Sequence, residues 1–214
     1  MADAQVLTHR LRDALESLDR PRIEELFRLA VGRQAPLQVI ENLIVPALVE
    51  IGEAWADGRV ALSQVYMSSR ICEELVARLL PPSVPVRKGQ LRQAIAVLGD
   101  YHLLGKRIVL SVLRASGFDI LDYGRMEADE LVDRALADDL QILLISVLML
   151  PSALKVREVR AAFEERRRPI RIGVGGAPFL FDDGLWREVG ADAMGRNAAD
   201  GIAMVRRWAG EVSS

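Results

Sequence analysis

A single cysteine, Cys72, rules out an internal disulfide framework and suits a reducing compartment. Positive charge is not in excess either. Lys and Arg number 28 against 30 Asp and Glu, and a net charge of −2 lacks the basic footprint of a nucleic-acid binder. The chain opens on the polar stretch Met1 to Gln5, with no charged-then-apolar leader. Its longest apolar run, Ile142 to Leu150, contains Ser146 and falls well short of the ~18 residues a membrane span needs. No Gly-x-Gly-x-x-Gly follows the first candidate strand, which removes the usual nicotinamide or flavin fingerprint. Internal repeats and low-complexity tracts are missing as well. The expectation is a soluble, cytoplasmic protein with no membrane and no nucleic acid among its partners.

What is present divides in two. Half of the 214 residues are hydrophobic, enough for a sizeable core without staples. Up to Leu80 the apolar residues recur at helical spacing. Leu7, Leu11, Ala14 and Leu15 form one stripe; Ile23, Leu26, Phe27 and Ala30 a second; Leu37, Ile40, Ile44, Ala47, Leu48 and Ile51 a third; Val65, Ser69, Cys72, Leu75 and Leu79 a fourth. Asp19 and Asp57-Gly58 mark turns between them. This pattern predicts a bundle of four or five helices over residues 1–82, with the third segment kinked or split at Pro46. Pro81, Pro82 and Pro85 then punctuate the chain, and residues 83–92 read as a linker.

From residue 93 to 214 short apolar runs alternate with helical segments. Candidate strands start at Ala94, Asp119, Ile142, Ile170 and Ala191; candidate helices cover 103–116, 128–137, 153–167 and 199–208. Such alternation predicts an α/β domain, a doubly wound five-stranded parallel sheet. With five strands the flavodoxin-like order 2-1-3-4-5 is favoured, and its switch point lies between the first and third strands.

The unusual residues gather at that point. Asp100-Tyr101-His102 and Gly105 follow the first strand, Ser146, Leu148 and Ser152 belong to the third and its loop, and Gly175-Gly176 closes the fourth. Each has a plain structural reading. Asp100 would serve as a helix N-cap, His102 as a surface histidine, the serines as caps and the paired glycines as a turn. Their joint occurrence on one rim is the stronger signal.

Asp100-x-His102-x-x-Gly105, then Ser146-x-Leu148, then Gly175-Gly176 resembles the three-part signature of cobalamin-binding domains. The helical region ahead of it resembles the cap that covers the corrin in methionine synthase and in the corrinoid proteins of methyltransferase systems. The resemblance implies a Rossmann-like cofactor domain behind a helical cap, with cobalamin held tail-first. It implies His102 as the lower axial cobalt ligand, Asp100 behind it, and Ser152 extending the pair to a relay. Gly105, Ser146, Leu148, Gly175 and Gly176 would line the slot for the nucleotide tail. Two departures stand out. Leu103-Leu104 replaces an Asp-Ile common after the histidine, and Ala61 stands near where the cap often carries an aromatic.

The function this implies is that of a non-catalytic corrinoid subunit carrying a methyl group on cobalt. Its partners would be methyltransferase subunits for donor and acceptor and a reductive activator, and a homodimer is admitted. The alternative is a cobalamin-based light or ligand sensor without its own DNA-binding domain. Trp55 matches a cap tryptophan of cobalamin photoreceptors, but Val65 and Tyr66 stand where those carry Glu and His.

Overall fold

The structure is a computed structural model that describes residues 2–79 and 89–212. The chain divides into two units, Met1–Leu80 and Pro81–Ser214.

The first unit is helical: α1 (Ala2–Glu16), α2 (Arg20–Val31), α3 (Pro36–Val39), a π-helical turn (Ile40–Ile44), α4 (Val45–Ala56) and α5 (Leu62–Leu79). Asp19 caps α2, its carboxylate accepting from the Arg22 amide at 3.1 Å. The interruption expected at Pro46 is real and takes the form of the π turn between α3 and α4. Proline has no N–H to give the carbonyl four residues back, that of Asn42. The Thr8 hydroxyl reaches that oxygen instead, at 3.4 Å.

Along α5 the buried face is Ser68, Ile71, Cys72, Leu75, Val76 and Leu79, so Val65 and Ser69 sit at its edge. Ser68 is tolerated there because its hydroxyl donates to the Leu15 carbonyl at 3.1 Å. Burial pushes the Cys72 thiol up to about 12, which makes it an inert core residue.

The second unit runs β1 (Gln93–Leu98), α6 (Leu104–Ala115), β2 (Ile120–Met126), α7 (Ala128–Ala137), β3 (Ile142–Ser146), α8 (Leu150–Leu154), α9 (Val156–Glu165), β4 (Arg171–Gly175), α10 (Ala177–Phe181), α11 (Leu185–Glu188), β5 (Ala193–Gly195) and α12 (Ala198–Val212). The strands form one sheet in the order β2-β1-β3-β4-β5, every pair parallel. Alternate residues of β1 serve opposite cores. Ala94, Ala96 and Leu98 pack with Leu131 of α7 and Val159 and Phe163 of α9; Ile95 packs with Leu113 of α6 and Trp208 of α12. Helices on both faces explain why β1 is buried along its whole length.

Short helices α10 and α11 fill the connection from β4 to β5. At five and four residues they are too short to leave a readable stripe in the sequence. Residues 83–88 of the expected linker lie outside the described residues. Gln90 to Arg92, read as linker from composition, are tied to the sheet unit. Gln90 donates to the Gly117 carbonyl at 2.8 Å, Leu91 packs on the α6 side, and the Arg92 amide donates to Gln141 Oε1 at 3.1 Å. Among the described residues no helix is long and apolar enough to cross a membrane.

Candidate functional site

The central pairing of β1 with β3 sets Val97 beside Ser146 and Ile145 beside Ala96, so the chain leaves both strands at one edge of the sheet. Asp100 ties the two exits together. Its Oδ1 accepts the Tyr101 amide at 2.7 Å, the His102 amide at 3.2 Å and His102 Nδ1 at 2.7 Å. Its Oδ2 accepts the amides of Leu148 and Met149 at 2.8 and 3.0 Å. The residue is only 3% exposed. Burial alone would push its carboxyl up. The His102 ring and the three amides of Leu148, Met149 and His102 outweigh that and hold it well below the usual carboxylate range.

An ionised carboxylate can only accept, so His102 Nδ1 carries the proton of the shared bond. The imidazole is thereby fixed in one tautomer, with the Nε2 lone pair free. No partner meets Nε2 among the described residues, and a quarter of the side chain remains exposed, 26%. Asp100 is thus no helix N-cap: that position at α6 belongs to Leu103.

The glycines mark close approaches. A Cβ at Gly105, in the first turn of α6, would meet Ser146 Oγ at 3.3 Å, so the gap between α6 and the end of β3 is open only because position 105 has no side chain. A Cβ at Gly175 would stand 3.1 Å from the Gly195 carbonyl. Gly176, at φ +121°, lies directly against the backbone of Val147. Loops after β1, β3 and β4 therefore meet on one rim, as the strand order requires. Leu148 is partly exposed beside them.

Ser152 departs from the relay that the resemblance implied. Its hydroxyl donates to the Gly99 carbonyl at 3.1 Å, while all the hydrogen bonds described for Asp100 go elsewhere. The histidine and aspartate are paired; the serine braces the loop beneath them. Sequence reasoning also missed two donors that help His102 to hold Asp100 ionised, the amides of Leu148 and Met149. A backbone N–H belongs to every residue type but proline, so nothing in the letters marks its direction. In the helical unit Trp55 and Tyr66 are exposed and Val65 is half-buried.

A family model described as a B12 binding domain matches residues 7–80, and a second of the same description matches residues 94–203. The dimethylamine corrinoid protein 3 of Methanosarcina acetivorans is 28% identical over 213 residues, covering 96% of this chain and 98% of that one. The trimethylamine corrinoid protein of Methanosarcina barkeri is 28% identical over 217 residues, with 96% and 98% covered. Among solved structures, the monomethylamine corrinoid protein of Methanosarcina barkeri superposes with a TM-score of 0.77 at 26% identity, over 94% of this chain and 97% of that one.

Proposed function

The chain belongs to the B12-binding family, and from that premise we propose that it is a corrinoid protein carrying a methyl group between partner methyltransferases. The observation that carries this reading is the Asp100–His102 pair, which fixes the tautomer and leaves the Nε2 lone pair free to take a metal. Bound cobalamin would supply the cobalt that accepts and gives up the methyl group.

The residues present fit that cofactor. Among the described residues no three His, Cys, Asp or Glu side chains gather to hold a bare metal ion, so a metal at His102 would be brought by a macrocycle that fills its other positions. The gap that a Cβ at Gly105 would fill against Ser146 suits a narrow tail entering between α6 and β3. Each residue then has a task. His102 would offer its neutral Nε2 to the cobalt. Asp100 holds the Nδ1 proton and thereby the ring's direction and basicity. Ser152 braces the loop through Gly99. Gly105, Ser146 and Leu148 would line the slot for the tail, and Gly175 and Gly176, whose positions leave no room for a Cβ, would let the β4 exit approach it.

Partner methyltransferases would supply the methyl donor and acceptor sites, since a carrier of this kind moves the group but does not activate either substrate. A reductive activator and a homodimer complete the proposed partners. The test is reconstitution of the full chain with cobalamin. We expect about one cofactor per chain and, in the cobalt(II) form, nitrogen superhyperfine splitting in the electron paramagnetic resonance spectrum that disappears in His102→Ala. Splitting from a protein imidazole that survives in the variant would remove His102 from the site.

A further inference from the structure

We propose that Arg125, on β2, is a positioning residue for the histidine loop and acts through Tyr101. The proposal rests on the cobalamin reading only for what His102 finally holds.

Tyr101 sits between Asp100 and His102, and the residue is 75% exposed. The Arg125 guanidinium lies over that ring, 4.2 Å from its centroid. Ordinary strand alternation would not bring Arg125 to this place. Ile95 of β1 pairs with Asp122 and Val97 with Arg125, so two steps along β1 correspond to three along β2. The extra residue forms a bulge around Gly124, at φ +67°, and a bulge of this kind re-aims the side chains that follow it. The bulge is itself held. Asp122 accepts the Gly124 amide at 2.8 Å and pairs with the ammonium of Lys106, a lysine only 3% exposed on α6.

Beyond the ring the guanidinium is pinned. Arg125 Nη2 donates to Glu127 Oε1 at 2.5 Å, and Lys155 Nζ donates to Glu127 Oε2 at 2.8 Å. This strap passes over Gly99, where a Cβ would come within 3.1 Å of Lys155 Nζ. It therefore spans the exits of β1, β2 and β3. Half-exposed ion pairs of this kind add little to global stability. The effect of the strap is local: it restrains the backbone on either side of Tyr101, and with it the angle at which His102 meets Asp100.

The experiment compares the wild type with Arg125→Ala, Tyr101→Ala, Tyr101→Phe and the double variant Tyr101→Ala/Arg125→Ala. In the cofactor-free protein, nitrogen-15 NMR reads exchange of the His102 Nδ1 proton with water. Loss of one stacked cation should speed that exchange about three- to tenfold in Arg125→Ala and in Tyr101→Ala. Tyr101→Phe should keep the wild-type rate, and the double variant should exceed neither single by much, because both act on one contact. Unfolding temperatures should stay close to the wild type. If Arg125→Ala fails to fold, Arg125→Lys replaces it and should exchange at an intermediate rate, the charge being kept and the planar fork lost. Wild-type exchange in both alanine variants, or additive effects in the double, overturns the proposal. The same proteins loaded with cob(II)alamin should show a smaller nitrogen-ligated fraction in the alanine variants, by paramagnetic resonance. A loaded wild type with no nitrogen splitting would count against the cobalamin reading of His102, while proton exchange in the cofactor-free protein would still decide the strap.

Discussion

Gly176 and Val147 touch backbone to backbone: a Cβ at position 176 would stand 1.7 Å from the Val147 carbonyl oxygen. Because Gly176 also sits at φ +121°, two independent obstacles meet any substitution there. We expect Gly176→Ala to cost about 3 kcal/mol or more and to abolish cofactor retention, since the β3 and β4 exits must separate. Gly210→Ala on α12, where an added Cβ meets nothing within 4 Å, should be neutral or slightly stabilising. Urea melts and gel filtration with cobalamin check both. A Gly176→Ala protein that melts and binds like the wild type would mean that the close approach does not exist in solution.

Asp100→Asn tests the carboxylate as a double acceptor. An amide would present N–H groups either to His102 Nδ1–H or to the amides of Leu148 and Met149, setting donor against donor. We expect a loss of about 2–4 kcal/mol. His102→Ala removes only the ring's bond to Asp100 and leaves the amides in place, so it should cost about 1 kcal/mol. The order of the two urea midpoints is the measurement. Equal losses would show that Asp100 stabilises little beyond its bond to the histidine.

Much of this was legible beforehand, for identifiable reasons. Alternation of short apolar runs with helical stripes gave the strand order, because strands buried on both faces must be continuously apolar, as β1 is. Given that order, the meeting of Asp100, Ser146 and Gly175 followed. Pro46 announced a break in its helix, but not that Thr8, from another helix, would supply the missing bond. The direction of Ser152 and the amides feeding Asp100 stayed hidden, since they depend on loop dihedrals that residue types do not fix. The bulge at Gly124 was equally silent, as a lone glycine in a strand has several readings.

Tyr123 should set an alkaline limit on stability. Burial pushes its phenol up from the ordinary value near ~10, and a 2.6 Å bond to Asp138 Oδ2 and that carboxylate's charge push the same way. Below pH ~10 both folded and unfolded chains keep the proton, and the contribution is fully present. Above it the unfolded chain loses its proton first, so stability falls as pH rises toward the folded value. Tyr123→Phe should be less stable than the wild type at pH 8, by about 1 kcal/mol for the lost bond, and the gap should narrow at pH 11. Urea midpoints at the two pH values decide it; a gap that widens contradicts the assignment.

The last prediction separates carrier from sensor. The chain has two histidines, and only His102 stands at the rim. His9 lies on α1 with its Nδ1 at 3.0 Å from Glu50, within the helical unit. Where photoreceptors carry a Glu-His pair, Val65 is half-buried and Tyr66 is 54% exposed on α5. Valine cannot hydrogen-bond an adenosyl ribose, and a phenol is a poor substitute for imidazole on cobalt. Illumination of the adenosylcobalamin-loaded protein should therefore leave its oligomeric state unchanged, as followed by light scattering, and yield no bis-histidine spectrum. Incubation of the methylcobalamin-loaded protein with a cognate methyltransferase and acceptor should transfer the methyl group stoichiometrically. A light-driven change of assembly with a stable bis-histidine product would replace the carrier reading with the sensor.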